Sequence, residues 1–381
     1  MYAKTPPMGW NSWNTFGPNL SDTIIRETVD AMAALGYRDA GYEYIIMDDG
    51  WMLPQRDASG QLVPDPEKFP MGIRPLADYV HSKGFKLGIY SCAGTRTCGR
   101  FPGSFDHEFS DAKQFASWQI DYLKYDFCNF PKSANCRQRY QTMAMALRAS
   151  GRDIFFAACN WGLESPEKWM RSVGANSYRS TYDILDNFSS AASIAYSQLN
   201  SYYTSAAPCF NDMDMLTVGM FGKGHVGLED PNNKAETACT AQDYTTQFVL
   251  WACMGSALIL GADIRSMDAD SRSLVQNKAL LAINQDIECR APYIVCQEEH
   301  CFSFIRHLSD NTQVLVYANL GEEEAEIDCI FADLGLPYPA GIKLRLFDLL
   351  SQQEAGIFSE HYPLEIPAHG CRVFKTSFVM D

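Results

Sequence analysis

Over the first two-thirds of the chain the apolar positions repeat one theme: a short strand-like run, a polar turn, then an amphipathic stretch closed by glycine. Between Ser21 and Gly36, residues Ile24, Ile25, Val29, Met32 and Leu35 return at helical spacing, which predicts a helix capped by Ser21 or Asp22 and stopped at Gly36. The β-branched and aromatic run Tyr42 to Met47 follows and leads directly into Asp48-Asp49-Gly50-Trp51. Comparable runs lie at Met8 to Asn11, Lys86 to Tyr90, Tyr122 to Tyr125, Ile154 to Cys159, Ser177 to Arg179, Pro208 to Met215 and Ala257 to Leu260. Eight strands parted by helix-length segments suit a (β/α)8 TIM barrel, for which about 250 residues is typical. A doubly wound sheet is disfavoured, because no glycine-rich phosphate loop follows any of the runs.

Such barrels carry their chemistry at the C-terminal ends of the strands. Asp48, Asp49, Tyr90, Asp126, Asn160, Asp183 and Asp214 all fall at or just past the end of an apolar run. After Arg290 the texture changes to short alternating runs, such as Thr312 to Tyr317 and Lys343 to Phe347, separated by acidic turns. This predicts two domains, a catalytic barrel over 1–290 and an antiparallel β-sandwich over 291–381. The triplet Glu322-Glu323-Glu324 reads as a solvated loop.

Composition narrows the class. At 46% hydrophobic and 20% charged residues the chain is an ordered globular protein, and no apolar run reaches the roughly 18–20 residues needed to span a bilayer. Forty-six acidic against 31 basic residues give a net charge of -15, so neither nucleic acid nor an anionic membrane surface is an expected partner. The 13 cysteines are odd in number and contain no C-x-x-C pair, and the segment Met1 to Pro7 lacks an apolar signal core. A cytoplasmic protein is expected, unless a signal has been trimmed. No metal-ligand motif and no cofactor fingerprint is present, while self-association is left open. The two N-x-S/T sequons, at Asn19 and Asn187, are read as chance.

Carboxylates at strand ends with tryptophans nearby suit sugar chemistry. In Tyr122-Leu123-Lys124-Tyr125-Asp126, strand alternation puts Lys124 and Asp126 on one face, expected to be the barrel interior. There the Lys124 cation is expected to lower the pKa of Asp126 and hold it ionised, as a nucleophilic carboxylate requires. A purely structural Lys-Asp ion pair fits the same spacing.

Pro7-Met8-Gly9-Trp10-Asn11-Ser12-Trp13, Asp48-Asp49-Gly50-Trp51, Tyr122 to Asp126 and Asp212-Met213-Asp214-Met215 follow one another in the order of glycoside hydrolase family 27, the α-galactosidase and α-N-acetylgalactosaminidase family, which the chain resembles over essentially its whole length. The resemblance implies a (β/α)8 barrel with a C-terminal β-sandwich and a retaining exo-hydrolase releasing terminal α-linked galactose from an oligosaccharide or glycoconjugate. It implies Asp126 as nucleophile and, from the segment Arg179-Ser180-Thr181-Tyr182-Asp183-Ile184, Asp183 as acid/base. By the same resemblance Trp13, Asp48, Asp49, Tyr90, Cys98, Lys124, Asn160, Trp161, Arg179, Asp214 and Met215 bind the sugar. Trp10 and Trp51 are equally compatible with core packing.

Two departures from the family stand out. In Cys159-Asn160-Trp161-Gly162-Leu163, the loop that meets the 2-substituent in relatives, Asn160 is neither the acidic residue of galactose-specific members nor the small one of N-acetylgalactosamine-specific members. Leu163 resembles the bulky residue of the former, so galactose is the expected sugar, with α-N-acetylgalactosaminidase and β-L-arabinopyranosidase as alternatives and an inactive carbohydrate-binding protein as a more distant one. Gly50 and Ala175 stand where secreted relatives have cysteine. Cys98 and Cys128 match a family pair beside the site, with the disulfide and the reduced thiols both left open.

Overall fold

The computed structural model describes residues 3–200, 204–230, 237–336 and 340–380. Eight strands make one parallel sheet: β1 Met8–Asn11, β2 Tyr44–Met47, β3 Lys86–Cys92, β4 Tyr122–Asp126, β5 Phe155–Cys159, β6 Ser177–Arg179, β7 Phe210–Asp212 and β8 Leu258–Leu260. They are hydrogen-bonded in sequence from β1 to β7, and β1 also pairs with β8. The ring closes just beyond β7, where the Leu216 amide donates to the Ile259 carbonyl at 2.8 Å and the Gly261 amide donates to the Leu216 carbonyl at 2.9 Å. The pattern of apolar runs predicted this TIM barrel, strand by strand.

The helices are α1 Trp13–Phe16, α2 Asp22–Ala34, α3 Ile73–Ser82, α4 Glu108–Ser117, α5 Cys136–Ala149, α6 Met170–Val173, α7 Phe188–Gln198, α8 Ala241–Met254, α9 Ala269–Val275 and α10 Lys278–Asn284. In α2 the Ser21 hydroxyl accepts from the Ile24 amide, which satisfies one of the orphan donors of the first turn, and Ile25, Val29 and Met32 are buried against the barrel.

Alternation along the strands separates two cores. Leu123 and Tyr125 point outward into the layer under the helices, whereas Tyr122 points inward and stacks on Phe155 with centroids 5.0 Å apart. Tyr44, Ile46, Phe210 and Ile259 complete this apolar interior layer. Above it on β4 come Lys124 and then Asp126, so the barrel axis runs from an aromatic floor to a charged mouth. Gly88 makes this packing possible, since a Cβ there would stand 2.8 Å from the Ile46 side chain and 3.2 Å from Tyr122 Cβ.

Beyond α10 the chain forms β9 Tyr293–Gln297, β10 Cys301–His307, β11 Gln313–Asn319, β12 Ala325–Ile327, β13 Ile342–Asp348, β14 Gln353–Phe358, β15 Leu364–Ile366 and β16 Cys371–Met380. A six-stranded antiparallel sheet, β14-β13-β16-β11-β10-β9, packs with the β12-β15 ribbon around Leu315, Tyr317, Leu346, Phe374, Ile327 and Ile366. Arg306 of β10 leaves this sheet toward the barrel. It is 1% exposed, and its Nη1 donates to the carbonyls of Cys253 at 3.1 Å and Ala252 at 3.4 Å, in the last turn of α8. A cation there meets the negative end of the helix dipole.

Candidate active site

At the C-terminal mouth of the barrel a cavity of about 270 Å³ is lined by residues from six strand ends, those of β1 to β4, β6 and β7, and their loops. Asp48 and Asp49 leave the end of β2. Asp48 Oδ2 accepts from Asn11 Nδ2 and from Lys124 Nζ, each at 2.7 Å, and its amide donates to the Ser12 hydroxyl at 3.0 Å. Asp49 accepts from the amides of Gly99 at 2.7 Å and Gly50 at 2.9 Å. Burial nonetheless pushes its carboxyl up to about 6, with those hydrogen bonds opposing and Asp48 adding to the rise.

Asp126, at the end of β4, is 6% exposed. Its Oδ2 accepts from the Tyr90 hydroxyl at 2.8 Å, from the adjoining strand β3, and its Oδ1 from the Phe127 amide at 2.8 Å. The lowering pull expected of Lys124 on this carboxyl is present but outweighed. Burial dominates and raises Asp126 to about 6, while the lysine only moderates the rise and Asp183 adds to it. The ammonium itself bonds to Asp48. Burial disfavours the charge of Lys124, but Asp48, Cys159 and Asp126 outweigh that and keep its pKa above the ordinary value.

Across the pocket, Arg179 ends β6 and is also buried. Its Nη2 donates to Asp214 Oδ2 at 2.6 Å and to Asp183 Oδ1 at 2.8 Å. Asp214 further accepts from the Ile184 amide at 2.7 Å, and burial lifts its carboxyl to about 6 against the pull of the guanidinium. Asp183 differs from the other site carboxyls in exposure: its side chain is 73% accessible, on the rim of the cavity.

The cavity thus brings together Trp13, Asp48, Asp49, Tyr90, Cys98, Lys124, Asp126, Arg179, Asp183, Asp214 and Met215, eleven of the thirteen residues expected there. Cys98 is joined to Cys128 in a disulfide with Cα atoms 5.1 Å apart. Asn160 and Trp161 are not on its wall. Asn160 is fully buried, and its Nδ2 donates to the Leu163 carbonyl, so it braces its own loop and does not reach into the cavity. Trp161 lines a neighbouring groove. Trp10 and Trp51 are core residues, with indole N–H groups donating to the carbonyls of Ala262 at 2.8 Å and Tyr90 at 3.0 Å.

Sequence reasoning passed over Asn14, Ile184, Leu185, His225, Val226 and Asp230, which complete the wall. The last three belong to the long segment after β7, which lacks periodicity. Its glycines gave a signal: Gly222 and Gly224 both have positive φ, and the backbone they allow is pinned where the amides of His225 and Val226 donate to Thr15 and Asn14. Asp186, fully buried, secures the other side of this loop by accepting from the Gly222 amide at 2.6 Å and the Tyr244 hydroxyl at 2.8 Å.

Six carboxyl groups, those of Asp48, Asp49, Asp126, Asp183, Asp214 and Asp230, face two permanent cations, Lys124 and Arg179, in this wall. Such a lining disfavours anionic ligands and offers many acceptors and donors to a neutral polyol. The Asp48 and Asp214 carboxylates, which would otherwise suit a hard cation, are each taken by a side-chain cation at 2.7 Å and 2.6 Å. A TIM barrel with paired carboxyls at its mouth and a hydroxyl-binding lining defines a glycosidase.

The comparisons agree. The family model described as Alpha galactosidase A matches residues 5–286. The α-galactosidase of Coffea arabica is 42% identical over 371 residues, covering 97% of this chain and 93% of its own, and that of Cyamopsis tetragonoloba is 40% identical over 373 residues, covering 98% and 86%. The crystal structure of α-galactosidase I from Mortierella vinacea superposes with a TM-score of 0.89 at 33% identity, covering 98% of this chain and 97% of that one. The chain belongs to glycoside hydrolase family 27.

Proposed function

We propose that the protein is a retaining exo-α-galactosidase, in which Asp126 is the nucleophile and Asp183 the acid/base. The observation that carries this reading is the contrast between the two carboxyls of one pocket. Asp126 is buried and held by Tyr90 and Phe127 with both oxygens fixed, whereas Asp183 stands on the rim where a leaving group departs. In the first step Asp126 attacks the anomeric carbon as Asp183 gives its proton to the glycosidic oxygen. Water, deprotonated by Asp183, then releases the sugar from the ester.

The other wall residues hold the ring. Asp48, Asp49 and Lys124 offer acceptors and a donor to hydroxyls on one side, and Arg179 and Asp214 do so on the other. The floor below them is filled by Tyr44, Tyr122 and Phe155, so the pocket ends there and admits the terminal residue of a glycan. The substrate class is therefore a galactose-ended oligosaccharide or glycoconjugate.

The test is proton NMR of an aryl α-galactoside during hydrolysis, beside the aryl α-N-acetylgalactosaminide and β-L-arabinopyranoside. Fastest turnover of the galactoside with α-galactose appearing first is expected. Initial release of the β-anomer would remove the nucleophilic role of Asp126, and a faster reaction with either other glycoside would displace galactose as the substrate.

A further inference from the structure

Trp13 forms an aromatic wall of the sugar pocket, and its backbone and its ring are held by different means. The backbone is fixed by polar contacts, since the amide donates to Asn11 Oδ1 at 2.8 Å and Asn11 in turn donates to Asp48. The ring has no polar anchor. The indole N–H groups of Trp10, Trp51, Trp169 and Trp251 each donate to a backbone carbonyl, whereas that of Trp13 finds no acceptor among the described residues. Among those residues the ring that meets it is the imidazole of His225, edge-on, with centroids 5.0 Å apart and planes at 83°. Resting on the glycosidase reading above, we infer that His225 is a positioning residue: backed by Asp230, it holds the Trp13 indole as a wall of the pocket and so sets how tightly the sugar is gripped, without taking part in the chemistry.

The imidazole is itself tied down on several sides. Trp13 opens α1, a helix of four residues that is too short to be stable alone. The loop after β7 braces it, because the His225 amide donates to the Thr15 carbonyl at 3.1 Å and the Val226 amide to the Asn14 carbonyl at 3.0 Å. Two glycines in the left-handed region let the segments close to contact. At Gly17, with φ 51°, a Cβ would lie 2.8 Å from His225 Cγ, and at Gly224, with φ 85°, a Cβ would lie 2.8 Å from Thr15 Cα. The ring is thus laid over Gly17, and its Nδ1 stands 3.1 Å from Asp230 Oδ2.

His225 has no hydrogen bond to Asp126 or Asp183, which separates it from proton transfer. Its effect runs through preorganisation. An indole freed in the empty pocket must be ordered again each time a sugar enters, and immobilising one such side chain weakens binding by about 2- to 13-fold. That cost falls on the bound substrate and the transition state alike, so it raises KM and leaves kcat nearly unchanged.

The experiment measures KM and kcat on an aryl α-galactoside, with the inhibition constant of free galactose, in three variants of the full-length protein. His225→Ala removes the ring, His225→Asn keeps a donor for Asp230 without the ring, and His225→Phe keeps the ring edge without the donor. The first two should raise KM and the galactose constant by about three-fold or more with kcat held within about two-fold, and His225→Phe should return both constants toward wild type. Added to Trp13→Ala, His225→Ala should cost nothing further. Fluorine NMR of fluorotryptophan-labelled protein supplies a readout independent of turnover: the signal assigned through Trp13→Phe should shift and broaden in His225→Ala while those of Trp10 and Trp51 stay. Rescue by Asn and not by Phe would make His225 a mere brace for Asp230 and overturn the inference. A fall in kcat at constant KM, additive losses with Trp13→Ala, or an unmoved Trp13 signal would each overturn it as well. A wild type inactive on every α-galactoside would instead end the functional reading on which the inference rests.

Discussion

Lys124 ends on Asp48, with 2.7 Å between Nζ and Oδ2, although Asp126 lies two residues along its own strand. Among the described residues Asp126 is therefore left without a hydrogen-bonded cationic partner, and its ionisation is held against the cost of burial by the charge of the lysine, then by the Phe127 amide and the Tyr90 hydroxyl. This arrangement gives a carboxylate that is ready to react and expensive to maintain.

Asp126→Asn should abolish turnover, because the amide cannot form the glycosyl ester. It should also stabilise the fold. The native carboxyl, raised to about 6, holds its proton to higher pH than the unfolded one, so between about pH 4 and 6 the native state binds more protons and stability falls as pH rises. Above that window the charged form costs on the order of 2–3 kcal/mol. Thermal unfolding should show Asp126→Asn more stable than wild type at pH 7.5 and the difference closing below pH 4; a variant less stable at pH 7.5 contradicts the assignment of burial as the dominant cause.

The acid limb of kcat/KM should report the same burial. Asp126, Asp49 and Asp214 are all raised to about 6, so activity on an aryl galactoside should fall as pH drops through that value, more steeply than a single proton allows. Full activity maintained at pH 4 would show that these carboxyls ionise at their ordinary pKa.

Asp183→Ala should distinguish substrates by their leaving groups. An activated phenolate needs little protonation in the first step, so its kcat/KM should fall far less than that of melibiose, where the sugar alkoxide must be protonated. External azide should restore part of the second step with the activated substrate. Equal losses on both substrates would remove the acid role from Asp183.

Asn160→Ala tests the corrected reading of the loop after β5. The side chain braces the Leu163 carbonyl from a fully buried position, so its removal should destabilise the protein by about 1–3 kcal/mol and leave the ratio of galactoside to N-acetylgalactosaminide activity unchanged. A changed ratio in substrate-competition assays would return Asn160 to the sugar pocket.

The barrel was legible because each strand is short, apolar and followed by a polar end, and the period-two face of Tyr122, Lys124 and Asp126 matches the interior as built. The site carboxyls were legible for the same reason. What alternation cannot express is a hydrogen-bond choice made across the barrel, as Lys124 makes for Asp48, or the rotation of a loop side chain, as at Asn160. Nor does it reach His225 and Asp230, whose place depends on where an aperiodic segment is tied down. Their side chains meet at 3.1 Å, Nδ1 to Oδ2, in the segment that the positive-φ turns at Gly222 and Gly224 shape.

Arg306 gives the barrel and the six-stranded sheet a shared fate. The last turn of α8, a barrel helix, has its Ala252 and Cys253 carbonyls answered by a guanidinium that belongs to the other layer of the molecule and that burial disfavours as a charge. Severing the chain after the last barrel helix would leave those acceptors facing an apolar surface stripped of its cover, and the detached sheet would carry a buried cation into water on a hydrophobic face. The C-terminal region thus serves as part of the barrel's own wall, and heat or denaturant should melt both in one transition.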